Sequence, residues 1–397
     1  MHLTVRLPKV QPTNFLPPTH CPFRDRKNPK RKCNGTHFKE HQHQCPKPLR
    51  DTRFSQVTAQ RYRCLKCQRT FRVYPMGVSA AQQSDTVKGL SVLLYILGLS
   101  YQGVSDLLDS LGCFVSKTTV YENVQAAGQR AIQLRKAWVK QQAGKIPVLG
   151  IDFTHLKCQG EDKILAVATA VLTGEPLTFD ILEAETALRI TKWVQDLAKI
   201  IGAAVLVTDD ADGLKTVAEE LNLQHEVCRA HVNRNVHDLV AALGTKALEH
   251  PDPIPPELRN VTVDQFLEDV QTVEDLIKGV AANGQTEMQR LAERYQAAPP
   301  PTQGHRASMW YRMRRLTLDW SENWARLAHY LSWRGPKNEK LDGTNNVTEQ
   351  VIGQDVKERY RTMRGYQREQ SILNVSSLIG WVRMHRAGYD LSEVISS

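Results

Sequence analysis

The chain has 397 residues, 41% of them hydrophobic and 24% charged, and a formal net charge of +10. This length allows two to four domains with at least one sizeable core, and the composition is that of an ordinary soluble protein. No apolar stretch approaches the ~20 residues of a membrane-spanning helix. The opening MHLTVRLPKVQPTNF lacks the apolar core and small-residue cleavage site of a secretory signal, so a cytoplasmic protein without membrane association is expected.

The charge is unevenly spread. Residues 1–78 carry 17 Lys and Arg against Asp25, Glu40 and Asp51, a net of +14, which leaves −4 for the remainder. A basic module on a slightly acidic body suits a polyanion such as nucleic acid. Five of the eight cysteines, Cys21, Cys33, Cys45, Cys64 and Cys67, also fall here. Without an export signal they read as metal ligands rather than disulfides. The segment has few aliphatic residues and needs a staple. In RYRCLKCQRTFRVYP, Cys64 and Cys67 form a C-x-x-C knuckle between short strand-like runs, as in a zinc ribbon. For the first knuckle we favour Cys21 and Cys33, with Cys45 as the main rival and His37, His41 and His43 as competing ligands. One structural Zn²⁺ at Cys21, Cys33, Cys64 and Cys67 is expected in a module spanning 1–78.

Residues 79–144 read as helices. SDTVKGLSVLLYILGLS shows an apolar stripe at Val87, Leu90, Leu94 and Leu97. SYQGVSDLLDSLG follows, with Ser100 as N-cap and Gly112 as stop. The turn FVSK then leads into SKTTVYENVQAAG. This is a helix-turn-helix pattern that would turn Lys117, Thr118, Thr119 and Tyr121 toward a DNA groove. A plain helical hairpin is the bland reading, and the neighbouring basic module favours DNA.

From residue 145 to 245 strands and helices alternate. PVLGIDFTHLKC, KILAVATAVL and PLTFDILEAE read as a three-strand meander. The helix TALRITKWVQDLAKII, the strand AAVLVTDD, the helix DGLKTVAEELN, the run QHEVC and the helix AHVNRNVHDLVAALG follow. This is the order of an RNase H-like mixed sheet. Residues 246–335 interrupt it with a helical insertion punctuated by HPDPIPP and PPPTQG. Its aromatic residues (Trp310, Tyr311, Trp320, Trp324) are best read as core, with Arg312, Arg314 and Arg315 as phosphate contacts. The last part, 336–397, returns to the α/β domain.

Two-metal phosphodiester chemistry needs several carboxylates converging on one point, because Mg²⁺ prefers oxygen ligands. Asp152 lies in the apolar strand VLGIDFTHL, where a buried acid is costly without a cation or donor. Asp209 follows the apolar strand VLVT, and Asp210 should point the other way. Asp212 is read as the N-cap of the next helix. His155 is read as a plain strand residue.

VTDDADGLKTVAEELNLQHEVCRAHVNRNV resembles the second-aspartate block of bacterial insertion-sequence transposases related to the eukaryotic Mutator-like elements. Asp209 stands four residues before Gly213-Leu214, and Cys228, His231, Arg234 and Asn235 fit the downstream C-x-x-H and R-N. GIDFTHLK resembles the first-aspartate strand. LDGTNNVTEQVIGQDVKERYRTMRGY resembles the block in which Asn345-Asn346 precede a helical catalytic Glu349. The blocks occur in the family's order; the widely split Cys21/Cys33 knuckle departs from it. The resemblance implies a DDE transposase in which Asp152, Asp209 and Glu349 hold two Mg²⁺, replaceable by Mn²⁺. Cys228, His231, Arg234 and Asn235 would be accessory to the site, with Lys357, Arg359, Arg361 and Arg364 on scissile-strand phosphates. Its substrates would be double-stranded DNA, namely terminal inverted repeats and a target. It also implies a homodimer or larger assembly and a nucleoid-associated bacterial enzyme. A transposase-derived DNA-binding regulator without catalysis is the alternative, and a nuclease for RNA–DNA hybrids a third reading.

Overall fold

The computed structural model describes residues 4–24, 30–281, 283–363, 365–384 and 388–395. The chain opens with β1 (Thr4–Arg6), β2 (Gln11–Phe15), β3 (Phe38–Pro48), β4 (Gln56–Cys64), β5 (Thr70–Val73) and β6 (Pro75–Met76). Three helices follow, α1 (Asp85–Ile96), α2 (Tyr101–Ser110) and α3 (Lys117–Gln141). Then come β7 (Val148–Cys158), β8 (Glu161–Ala170), β9 (Pro176–Leu182), α4 (Ala187–Ile201), β10 (Val205–Thr208), α5 (Asp212–Glu220) and β11 (Gln224–Val227). The helices α6 (Arg229–Glu249), α7 (Val263–Gly279), α8 (Gly284–Tyr295) and α9 (Met309–Ser332) precede α10 (Asn346–Val351), which continues as a π-helical stretch over Ile352–Lys357. The end holds α11 (Glu358–Tyr360), α12 (Glu369–Arg383), β12 (Gly388–Asp390) and α13 (Ser392–Ile395). No described helix is long and apolar enough to cross a membrane.

Two compact units form. The first comprises Met1–Ala137, Leu156–Asp162 and Gly353–Ser397; the second comprises Trp138–His155 and Lys163–Ile352. The segment 353–397, expected with the α/β domain, therefore falls in the first unit.

In the first unit, β3, β4 and β5 make an antiparallel sheet in which Phe38 faces Cys64 and Tyr62 faces Phe71. Its core is small. The Phe71 ring meets the rings of Phe23, Phe38 and Tyr62 with centroids 6.4, 5.4 and 6.2 Å away. α2 starts and stops where the sequence predicts, with Ser100 Oγ accepting Gly103 N–H and Gly112 ending it at φ +74, and α1 is capped by Ser84, whose Oγ accepts Val87 N–H. The buried face of α1 is rotated from the expected stripe. It uses Val87, Ser91, Val92, Tyr95 and Ile96, while Leu97 at the C-cap is 50% exposed. α3 packs on α12, where Arg135 Nη2 donates to Ser377 O and Asn374 Nδ2 donates to Gln125 Oε1.

In the second unit the sheet order is β9-β8-β7-β10-β11, with β8 and β9 antiparallel and β7, β10 and β11 parallel. This is the meander followed by crossover helices expected from the sequence, a mixed α/β sheet. Leu149, Ile151 and Leu206 point into a core closed by Ile190, Val194 and Ile201 of α4 and by Leu214 and Val217 of α5. Their neighbours Val148, Val205 and Val207 point to the other face, against Val171 and Leu341. The insertion is not a separate body. α6 runs to Glu249, and its Val236, Val240 and Leu243 share one core with Phe266, Leu291, Trp310, Trp320 and Trp324. The tryptophans are core residues, as the bland reading had it.

Where α3 crosses α12, a Cβ on Gly128 would lie 2.5 Å from the Asn374 carbonyl oxygen. Backbone cannot step aside cheaply. Gly128→Ala should cost about 1–3 kcal/mol by overpacking, although alanine is otherwise ~1 kcal/mol better in a helix. Urea denaturation reads this directly; a raised midpoint would mean that the helices are not in close contact here.

Candidate active site

The parallel registers set the site. Val205 pairs with Val148 and Val207 with Gly150, while Thr208 pairs with Val227. Continued past the last paired residues, the same registers bring Asp209 level with Asp152 on one side and Cys228 on the other. Asp209 and Cys228 stand just past the carboxyl ends of β10 and β11, where open α/β sheets place their ligands, and Asp152 lies in the middle of the longer β7.

Glu349 reaches this row from α10, whose start is tied to the central strand. The buried Asn345 at its N-cap donates from Nδ2 to Ile151 O at 2.9 Å and accepts from Thr348 Oγ1 at 2.6 Å. Thr348 in turn shares a 2.7 Å hydroxyl pair with Thr169 of β8. Gly150 makes room for this approach, since a Cβ there would lie 2.5 Å from Thr348 Oγ1. The Asn345 N–H donates to Cys228 Sγ at 3.2 Å, and Cys228 N–H donates to Thr208 O at 2.7 Å. Glu349 is thus held beside both aspartate strands.

The electrostatics agree with a shared site. Burial first, with the charges of Asp209 and Glu349, outweighs the Phe153 N–H and His231 and pushes the Asp152 carboxyl up to about 6. Glu349 Oε1 is buried and has no hydrogen-bond partner among the described residues. Three acids that repel one another, one with an orphaned oxygen, are a fitting donor set for divalent cations. The tightest ligand cluster at Glu349 is with Cys228 and His231, not with the two aspartates. Asp152 is the acid that feels the charge of both others.

Asp210 turns the other way, as strand alternation requires, and pairs with Arg326 Nη2 of α9 at 3.2 Å. Arg326 was not anticipated from sequence. Its Nε donates to His225 Nδ1 at 3.1 Å, His225 Nε2 meets Thr208 Oγ1 at 2.8 Å, and Thr208 Oγ1 donates to Asp209 O at 2.7 Å. Burial, then the Arg326 and Lys215 cations, hold His225 down to about 3, so it is neutral and its Nε2 carries the proton. Glu226, fully buried on β11, accepts Tyr330 N–H at 2.9 Å, and burial raises it to about 9. α9 therefore clamps the strand pair that presents Asp209. Only the apolar spacing of α9 is legible in sequence; its polar partners lie about a hundred residues away.

The remaining expectations divide. Asp212 is not the cap of α5: Ala211 holds that position, Asp212 is exposed in the first turn, and Asp209 Oδ1 takes the Ala211 N–H. His155 is an exposed strand residue paired with Glu185 at 3.4 Å. Arg234 and Asn235 are exposed, on the face of α6 that carries His231 one turn earlier. Lys117 and Thr118 are exposed at the start of α3, whereas Thr119 bonds Ser116 and Tyr121 packs edge-on against Tyr101. Arg315, Lys357 and Arg361 are exposed and Arg312 is half-buried. Arg314 is committed to Ala298 O at 2.8 Å. Arg359 is a correction: it is buried, donates to Leu99 O and Thr362 Oγ1, and lies 4.0 Å from the Tyr95 ring centre, so it cannot meet phosphate. Arg364 lies outside the described residues.

In the first unit, Cys21, Cys33, Cys64 and Cys67 place their sulfurs within 4.8 Å of one another. The Cys21–Cys67 and Cys33–Cys64 separations of 3.6 and 3.9 Å match the edge of about 3.8 Å of a tetrahedral zinc–thiolate site. Cys45 is buried in β3 opposite Ala59 and stands apart from the cluster.

Residues 83–359 match the profile of the family described as the IS66 transposase family. That range includes Asp152, Asp209 and Glu349, and the family matched is IS66 rather than the Mutator-like group to which the motif blocks pointed. No curated protein matches the chain. Among solved structures, the catalytic core of HTLV-2 integrase in complex with magnesium, trimeric form, is 17% identical over 32% of this chain and 84% of that one, with a TM-score of 0.19. The catalytic core of BIV integrase is 12% identical over 52% and 97%, with a TM-score of 0.18. Likenesses of this degree add nothing to the sheet order itself.

Arg326→Ala would leave Asp210 and His225 short of a partner in a half-buried setting, at a cost of about 1–3 kcal/mol. Adding Asp210→Asn should recover part of the loss by removing the unpaired charge. Thermal unfolding of the single and double variants, with Arg315→Ala as a surface control, checks this; equal stability of Arg326→Ala and the control would dissolve the clamp.

Proposed function

The chain belongs to the IS66 transposase family, and on that premise we propose that it cleaves and joins DNA with Asp152, Asp209 and Glu349 as the ligands of two Mg²⁺ ions. The observation that carries the reading is the level row of Asp152 and Asp209 at adjacent parallel strands, with the orphaned Glu349 oxygen brought beside it by Asn345. Bound Mg²⁺ supplies charge neutralisation and an activated oxygen nucleophile, first water and then a DNA 3′-OH. The protein's part is positioning. Asp152, Asp209 and Glu349 would hold the ions, and the Asn345–Thr348–Thr169 chain fixes the approach of α10 to the sheet. Cys228 holds the Asn345 N–H, and His231 Nε2 stands 3.7 Å from Glu349 Oε1, which orients that carboxylate.

Substrate recognition is assigned to the basic N-terminal module, to Lys117 and Thr118 at the start of α3, and to the exposed Arg234, Arg315, Lys357 and Arg361. The substrates are the terminal inverted repeats of the element and a target duplex, held in a dimer or larger assembly because two ends must be paired. One Zn²⁺ on Cys21, Cys33, Cys64 and Cys67 staples a module whose aromatic core is too small to hold alone.

Asp152→Asn, Asp209→Asn and Glu349→Gln should each lower Mg²⁺-dependent nicking of a duplex carrying the element's ends by ~10³-fold or more, while gel-shift binding of the same duplex stays near that of the parent protein. Full nicking by any of the three would move the metal site elsewhere, and metal-independent binding without nicking by the parent would favour a DNA-binding regulator. Cys64→Ser should lose one zinc per chain together with DNA binding, and Cys45→Ser should keep both. Zinc content measured by atomic absorption distinguishes the two; loss of zinc in Cys45→Ser would reassign the knuckle.

A further inference from the structure

Glu349 belongs to a second ligand set of different chemistry. One ligand atom each from Cys228, His231 and Glu349 lies within 4.8 Å of the other two. The set is built from two elements: Cys228 caps α6, His231 follows on its first turn, and Glu349 stands on α10. Cys228 Sγ accepts the Asn345 N–H at 3.2 Å. Glu349 Oε1 and His231 Nδ1 are buried and have no hydrogen-bond partner among the described residues. The side chains of His231 and Glu349 nevertheless keep 26% and 38% exposure, so an ion has a route in from solvent.

We propose that Cys228, His231 and Glu349 form a zinc site which, when filled, withdraws Glu349 from Mg²⁺ and switches strand cleavage off. The switch rests on the catalytic reading above; the site does not. Ligand softness decides between the ions. A thiolate and an imidazole have little affinity for hard Mg²⁺, which takes oxygen, whereas Zn²⁺ takes sulfur, nitrogen and carboxylate oxygen together. Three protein ligands with a fourth position left to water is an ordinary zinc arrangement. Binding releases the thiol proton to solvent and turns Glu349 toward α6, away from the aspartates. Zinc therefore acts on the one catalytic acid that lies within reach of both sets, and it does so without touching DNA.

The test uses the full-length protein saturated with ZnCl₂ and desalted. Zinc content should be two per chain in the parent and one in both Cys228→Ser and His231→Gln, with near-UV circular dichroism showing that each variant is folded. Serine keeps an acceptor for the Asn345 N–H, and the histidine variant guards against a packing defect at Cys228. In nicking assays at fixed Mg²⁺, low micromolar ZnCl₂ should suppress the parent by ~10-fold or more, and each variant, compared with its own zinc-free rate, far less. One zinc in all three proteins overturns the site. Two in the parent but equal suppression of parent and variants overturns the switch. Two in the parent with no Mg²⁺-dependent nicking by zinc-free protein overturns the catalytic reading and the switch, and leaves the site standing.

Discussion

The arrangement of the second unit turns on a carboxylate in the middle of β7, directly after its buried first four residues. Val148 to Ile151 are wholly buried, and the next residue is Asp152. An acid there is expensive in an apolar sheet unless something positive or donating is close. Asp152 has one backbone donor, Phe153 N–H, and two acidic neighbours. The sheet brings the negative charge together instead of dispersing it, which raises the Asp152 carboxyl and makes the group receptive to a cation or a proton.

What holds the three acids is mostly neutral. Asn345 bonds the carbonyl of Ile151, Thr348 bonds Asn345 and Thr169, and Gly150 leaves the gap that lets α10 approach. On the other side, a neutral His225 passes the position of Arg326 to Thr208 and so to the Asp209 backbone. Neutral hydrogen bonds fix geometry without adding or cancelling charge at the three acids. Charge is kept one layer back, in the Asp210–Arg326 pair. This gives the insertion a physical role beyond filling space, because α9 supplies both Arg326 and the Tyr330 N–H that Glu226 takes.

The two units use different ligand chemistry. The first gathers four sulfurs over a small aromatic cluster, and sulfur suits a borderline ion in a closed structural site. The second brings carboxylate oxygens near one another, and on the proposed reading those oxygens suit a hard ion. Cys228 and His231 are the exception, because they place soft ligands against one of those oxygens.

Local patterning determined a good deal of this. The meander β7–β9, the helices α4 and α5, the cap Ser100 and the stop at Gly112 follow from residues close in sequence, where period, cap and turn chemistry act over a few positions. Asp152 and Asp209 stand out in the sequence because an acid after an apolar run is unusual whatever the fold, and Cys64 and Cys67 because three-residue spacing suffices for a knuckle. Asp212 was misread because an Asp at a helix start serves equally as cap or first-turn residue. Tertiary structure alone chose Cys21 and Cys33 over Cys45, buried Arg359 against Tyr95, grouped residues 353–397 with the first unit, and joined Arg326 to His225. Those outcomes depend on partners about a hundred residues or more away, or on which of several equivalent side chains the packed backbone brings within bonding distance, and no local propensity encodes either.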